Sequence, residues 1–149
     1  MLSPLQLRQH SFTEVSLVAI ENGAADAEVT FEQQLQCSSK TDNPLIWRAD
    51  LQITMSCDKD KPFNYSGCVA IRGIFEIHPG FPENRREELI KVTGASLLYG
   101  AVREMILNVT SRSLKGPFLL PTVSFIEAQG DKQQSRPRVK LKKAVQSRA

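Results

Sequence analysis

Gly94-Ala-Ser-Leu-Leu-Tyr-Gly-Ala-Val-Arg-Glu-Met-Ile-Leu-Asn-Val-Thr-Ser-Arg-Ser113 decides how the chain is read. Leu97, Leu98, Ala101, Val102, Met105, Ile106 and Val109 recur three and four residues apart, the spacing that lines one face of a helix. Arg103, Glu104, Asn108 and Arg112 fall off that stripe. The spacing predicts an amphipathic helix, and such a helix needs an apolar surface to cover.

That surface lies upstream. Trp47, Ala49, Leu51, Ile53, Met55 and Cys57 alternate strictly with Arg48, Asp50, Gln52, Thr54 and Ser56. Successive strand residues point to opposite faces, so this is a strand with one buried and one wet side. Phe63 to His78 repeats the pattern through Tyr65, Val69, Ile71, Phe75 and Ile77, with Gly67 and Gly73 on the apolar parity. Those glycines mark bulges or the close approach of a helix. Glu28 to Cys37 reads as another strand, with Val29, Phe31, Leu35 and Cys37 on one parity. Residues 5–20 read as a first strand, broken near His10–Ser11. Glu21 to Asp26 and Ser38 to Pro44 read as loops, and Asp58 to Pro62 as a hairpin connection. The second parity still carries Val18, Ile20, Cys68, Ala70 and Ile74, a surface expected to meet another copy or a partner.

Downstream, Pro79-Gly-Phe-Pro82 stops the sheet. Asn84 is expected to cap a short helix that runs to about Thr93, with Glu87 and Glu88 in its first turn, where the helix dipole favours acids. Gly94 is expected to bend the chain before the main helix, and Lys115-Gly-Pro117 to end it. Phe118 to Phe125 is then an extended apolar hook. The expected fold class is α+β: a four-stranded antiparallel sheet with a long C-terminal helix packed on one face. One domain is expected over residues 1–129. Residues 130–149 turn to Gln, Ser, Lys, Arg and Pro and are expected to be a basic, disordered tail.

The charge is uneven. The net charge of +3 hides seven lysines and arginines against one aspartate from Gly130 onward, over a body with three more acids than bases. The basic balance therefore belongs to the tail and not to a face of the fold. The tail could meet phosphate or an acidic protein surface, yet no aromatic residue is interleaved with its charges for base stacking. Cys37, Cys57 and Cys68 are odd in number and form no Cys-x-x-Cys pair. With no basic, apolar leader at the start and no run of about 18 apolar residues, the expectation is a cytoplasmic protein with reduced thiols and no membrane insertion.

Chemistry is hard to find. His10 and His78 stand without cysteine or carboxylate at ligand spacing, so no metal is expected. There is no glycine-rich phosphate loop and no nucleophile elbow. Glu87 and Glu88 are adjacent on a helix and do not share a face. Asn108-Val-Thr110 matches a glycosylation sequon but falls inside the main helix, where it is read as chance. The residues point to no enzyme, no catalytic residue and no cofactor.

Three segments in this order resemble the SecB export-chaperone family. They are the sheet exit Gly73-Ile-Phe-Glu-Ile77, the helix from Leu97 to Arg112 with its Arg103-Glu104 pair and Ser111-Arg112 end, and the hook Leu119-Leu-Pro-Thr-Val-Ser-Phe125. The resemblance spans about Gln6 to Glu127. It implies a homotetramer, a dimer of dimers with helices sandwiched between sheets. It also implies an ATP-independent holdase that keeps nonnative polypeptides in apolar surface grooves. By that analogy Phe31, Leu35, Trp47, Leu119, Leu120, Val123 and Phe125 line the groove, and Leu97, Leu98, Ala101 and Met105 pack helices between subunits.

The chain departs from the family pattern in three places. The segment Glu21 to Ala27 is short and lacks aromatics, the stretch after the hook has no apolar stripe, and the tail is basic where the family's is acidic. Val18 and Cys68 also stand where the family carries acidic contacts to the preprotein translocase motor. Three readings follow: a holdase supporting export through that motor, a chaperone dedicated to one partner such as the antitoxin of a toxin–antitoxin system, and a nucleic-acid-associated protein using its tail. The acidic body, which repels phosphate, places the last behind the others.

Overall fold

β3 (Asn43–Cys57) and β4 (Tyr65–Ile77) form where the alternation is strictest, and they pair antiparallel along Ile46↔Glu76 through Met55↔Gly67. The structure, a computed structural model, describes residues 1–126 together with the backbone of Val139 and Lys140. β1 (Leu5–Ala19) pairs with β4 and β2 (Val29–Lys40) with β3, both antiparallel. A two-residue strand, β5 (Val139–Lys140), lies against β2, so the sheet order is β1-β4-β3-β2-β5. The expectation of a disordered tail falls on residues outside the described ones, apart from these two.

The helical segment is one continuous run. A 3-10 turn (Glu83–Arg85) leads into α1 (Arg86–Leu89), a π turn (Ile90–Gly94) and α2 (Ala95–Thr110), and the residue at each junction is right-handed helical. The expected bend at Gly94 is absent, because Gly94 is helical at φ −61° and ψ −47°. The five-residue turn absorbs the change of register that a bend would have made. Asn84 does not cap either; it sits inside the 3-10 turn, which starts after Pro82 with no side-chain cap.

One face of the sheet and one face of this run enclose the core. Leu51, Ile53, Val69, Ile71, Phe75 and Ile77 meet Ile90, Leu98, Val102 and Ile106, all essentially without solvent contact. Each such side chain contributes about 1.5–3 kcal/mol on burial. The stripe that faces the sheet is Ala95, Leu98, Tyr99, Val102, Ile106 and Thr110. Leu97 and Val109, expected in the stripe, lie outside it. The 1-4-5-8-9 pattern is broader than the strip a sheet can cover, and Tyr99 supplies the other flank.

Two glycines set distances in this packing. A Cβ on Gly73 would lie 2.8 Å from Leu98 Cδ2 and from Phe75 Cε2, so its absence lets α2 approach β4. Gly67 has φ +144°, and a Cβ there would meet the Ser16 carbonyl oxygen of β1.

β1 is unbroken at His10–Ser11, contrary to expectation. It carries register shifts between Leu7 and Gln9 and between Phe12 and Glu14. Each inserts one residue, so the core parity steps from Leu5 and Leu7 to His10 and Phe12, then to Val15, Leu17 and Ala19. The segment Ser38 to Pro44 is also mostly strand, since β2 and β3 close tightly with Lys40 opposite Asn43.

The outer face is largely polar. Asp50 Oδ1 accepts from Arg72 Nε at 2.8 Å and Asp50 Oδ2 from Arg48 Nε at 2.9 Å. Burial works against the Asp50 charge, but these two guanidinium groups outweigh it and hold the carboxyl below its ordinary value. On this face Val18 is the large apolar side chain left well exposed.

Candidate functional site

The hook decides the site. After α2 the chain turns through Ser111–Gly116 and runs back from Phe118 to Ile126 without regular secondary structure. Such a segment has no ladder of its own, so side chains must hold it. Thr110, buried at the helix end, donates from Oγ1 to the Ile106 carbonyl at 2.6 Å and accepts the Phe118 backbone N–H at 2.9 Å. Tyr65 Oη donates to the Gly116 carbonyl. Arg103 Nε donates to the Leu120 carbonyl at 3.0 Å, and Tyr99 Oη donates to the Pro121 carbonyl. Four side chains from β4 and α2 thus fix the hook's backbone while its own side chains divide between core and solvent.

The tyrosines feel this enclosure. Burial pushes the Tyr99 hydroxyl up to about 12, and burial also raises that of Tyr65. Both remain donors across the neutral range. Aromatic contacts join the hook to the sheet. Phe118 stacks with Phe31 of β2 at 6.2 Å between centroids and meets Phe63 edge-on at 5.2 Å. Phe125 meets Tyr99 edge-on at 5.9 Å.

The seven residues expected to line a groove are thereby sorted. Leu120 and Phe125 are buried, and Phe31 is only 4% exposed, so these three form its floor and frame. Leu35, Trp47 and Val123 are half-buried against the core. Leu119 is 56% exposed and Ile126 at the hook's end 70%. Trp47 stands apart on β3, opposite Ser39 and Phe75, with its indole N–H donating to the Pro44 carbonyl at 3.1 Å. The surface that results runs from the β2 edge, past Phe31 and Phe118, to Leu119 on the hook. Phe118 is the residue that sequence reasoning missed. Its place before the hook motif gave no signal, because its partner Phe31 is 87 positions away and only the fold joins them.

The four helix residues expected between subunits are sorted as well. Leu98 is fully buried against its own sheet and belongs to the protomer's core. Leu97 is 46% exposed, and Ala101 and Met105 are half-buried. Leu107 and Gly100 lie on the same outward side, and nothing approaches within 4 Å of where a Gly100 Cβ would be.

Among the described residues no three metal-ligating side chains cluster, and no helix is long and apolar enough to cross a membrane. Burial raises the Cys37 thiol above its ordinary value, with the charge of Lys91 opposing this and that of Glu87 adding to it.

A solved structure is similar to this chain in fold. It is the SecB-like chaperone of Mycobacterium tuberculosis in complex with a ChAD peptide from the HigA1 antitoxin. Superposition gives a TM-score of 0.58 over 81% of this chain and 91% of that one, at 14% identity. The chain has the SecB-like fold. A protein of unknown function from Streptococcus agalactiae is also similar, at TM-score 0.44 and 16% identity over 79% of this chain and 97% of that one. No family model matches the chain, and no curated protein matches it in sequence. At such identity the likeness is one of fold, and function has to be argued from the surface.

Proposed function

We propose that this protein is an ATP-independent chaperone that holds extended, nonnative polypeptide on the surface formed by the β2 edge and the hook. The observation that carries this is the hook itself. Exposed Leu119 and Ile126 sit on a backbone fixed by Thr110, Tyr65, Arg103 and Tyr99, beside an aromatic pair at the edge of a sheet. Exposed apolar area on a rigid frame suits an unfolded chain, and an edge strand offers it backbone partners. The SecB-like fold supports the reading. Nothing in it calls for catalysis, a metal or a cofactor.

In this reading the working form is a homotetramer. Leu97, Leu107 and the open ground at Gly100 give α2 an outward side on which another helix can approach closely.

The direct test is aggregation of a chemically unfolded client, followed by light scattering without ATP. Stoichiometric protein should suppress the signal, and Leu119→Glu should weaken suppression several-fold without changing the melting temperature, since Leu119 is exposed. No suppression at fourfold excess would sink the proposal.

A second reading has its own support. The SecB-like neighbour was solved with an antitoxin peptide, which favours service to one partner such as an antitoxin. Affinities separate the two. A general holdase binds unrelated unfolded chains comparably, whereas a dedicated chaperone prefers one partner by tenfold or more.

A further inference from the structure

Gln33 is out of place on the core face of β2. Side chains alternate along a strand, so Val29, Phe31, Gln33, Leu35 and Cys37 share one parity. Val29 and Phe31 are buried, and Leu35 and Cys37 pack against the core. Gln33 stands among them, half-buried, opposite Ile53 of β3. From Trp47 to Cys57 on β3, and along β4, this parity carries apolar side chains, glycine, or a polar group that has its partner. The Tyr65 hydroxyl bonds the Gly116 carbonyl, and the Trp47 indole N–H bonds that of Pro44. Thr110, Tyr99 and Arg103, which hold the hook, are bonded too.

Gln33 departs from this rule. Gln6 and Gln52 each donate to a neighbour, but among the described residues the Gln33 amide makes no hydrogen bond, and water reaches it. It lies one step of the core parity from Phe31, about 7 Å along the strand. That places it beside the Phe31–Phe118 pair of the candidate surface.

We propose that Gln33 reads the main chain of the polypeptide held on this surface, so that the site selects segments whose backbone N–H and C=O groups are unpaired. This rests on the holdase reading and names what that site recognises. A side-chain amide offers one carbonyl acceptor and two N–H donors. A peptide group presents the matching donor and acceptor, so the two can exchange hydrogen bonds. An occupant that covers the amide without pairing it leaves polar groups dry, a loss large enough to weaken binding about tenfold. Apolar side chains alone cannot avoid that loss. A helix or sheet cannot either, because its backbone groups are already paired. An extended nonnative segment can. Phe31, Leu35 and Leu119 accept apolar side chains of many shapes, and the amide among them penalises whatever brings no free main chain.

The test uses the full chain and two probes: a fluorescein-labelled synthetic peptide of alternating leucine and threonine, and the neutral apolar dye Nile red, which has no N–H to donate. Gln33→Met keeps the length of the side chain and removes the amide. It should bind the peptide about tenfold more weakly by fluorescence anisotropy and bind Nile red at least as tightly as wild type. Its melting temperature should not fall, since the lost amide has no partner among the described residues. Opposite responses to the two probes are not what a structural role gives, which would weaken both together. A peptide affinity that does not fall, or a joint loss of both probes, would overturn the assignment of Gln33. If the wild type suppresses aggregation of an unfolded client while Gln33→Met binds the peptide unchanged, Gln33 loses its role and the holdase reading stands. If the probes respond as expected but the wild type suppresses no aggregation, the main-chain site stands and the holdase reading falls. A wild type that binds no peptide overturns both.

Discussion

At the scale of single residues, three positions carry much of what makes this fold specific. Gly67 and Gly73 both lie on the core parity of β4, yet they differ in what a methyl group would meet. At Gly73 the obstacles are side-chain atoms of Leu98 and Phe75, which can shift, so Gly73→Ala should cost about 1–2 kcal/mol. At Gly67 the obstacle is the Ser16 carbonyl oxygen, and φ is +144°, so Gly67→Ala should cost about 3 kcal/mol or more and loosen the β1 edge. Urea unfolding of the two variants checks the order, and equal costs would contradict it. Tyr99 gives a pH signature. Its hydroxyl ionises near 10 in an unfolded chain and near 12 in the fold, because burial disfavours the phenolate. Above pH 10 the unfolded state therefore binds fewer protons than the folded one, and stability falls as pH rises. The contribution is intact below about pH 10 and is lost progressively towards pH 12, up to about 2–3 kcal/mol. Other groups titrate in the same window, so the measurement is the difference between wild type and Tyr99→Phe. The wild type should fall more steeply between pH 10 and 12, and parallel curves would refute the burial of this hydroxyl.

At the scale of elements, the hook is the unit to perturb. Thr110 ties the end of α2 to Phe118, and replacing it by valine keeps the shape but leaves the Phe118 N–H and the Ile106 carbonyl without this partner. The cost should be about 1–2 kcal/mol. More tellingly, amide exchange at Phe118 should accelerate while that of β3 is unchanged, since β3 shares no bond with the hook. This anchoring was not legible in the sequence. One threonine in an apolar helix gives no periodic signal, and its partner is set by a turn that does not follow from pattern alone. The central strands were legible for the opposite reason: β3 and β4 each keep one face on the core and one towards solvent, and they pair with each other without a register shift, so their alternation is not displaced. β1 was misread as broken because two inserted residues move its apolar parity twice, from Leu7 to His10 and Phe12 and then to Val15, a pattern no fixed period detects. The helix was legible as a helix, but its covered face was displaced by one column, since a stripe wider than the sheet can accept does not say which side is left out. Leu97 and Leu98 are neighbours in sequence, and only packing decides that one is core and the other surface.

At the scale of the whole molecule, that division leads to assembly. Leu98 fills the space left by Gly73 within one chain. Leu97, 46% exposed, has Leu107, Gly100 and half-buried Ala101 on the outward side with it and contributes little to the stability of a lone protomer. In the proposed tetramer it would meet a second helix, and the absence of a Cβ at Gly100 would let the two axes come near. Leu97→Glu should then separate folding from association. It places a charge on a surface that water already reaches, so the protomer's unfolding free energy should stay within about 0.5 kcal/mol. The same charge inside a helix–helix contact would be desolvated without a partner, and the tetramer should fall apart at micromolar concentration. Multi-angle light scattering reads the mass directly, and urea unfolding of the dissociated variant reads the fold. A wild-type chain that is monomeric at these concentrations would remove the tetramer from the proposal. A Leu97→Glu variant that remains tetrameric would move the interface off this side of α2, and Val18 on the outer sheet face would become the next position to charge.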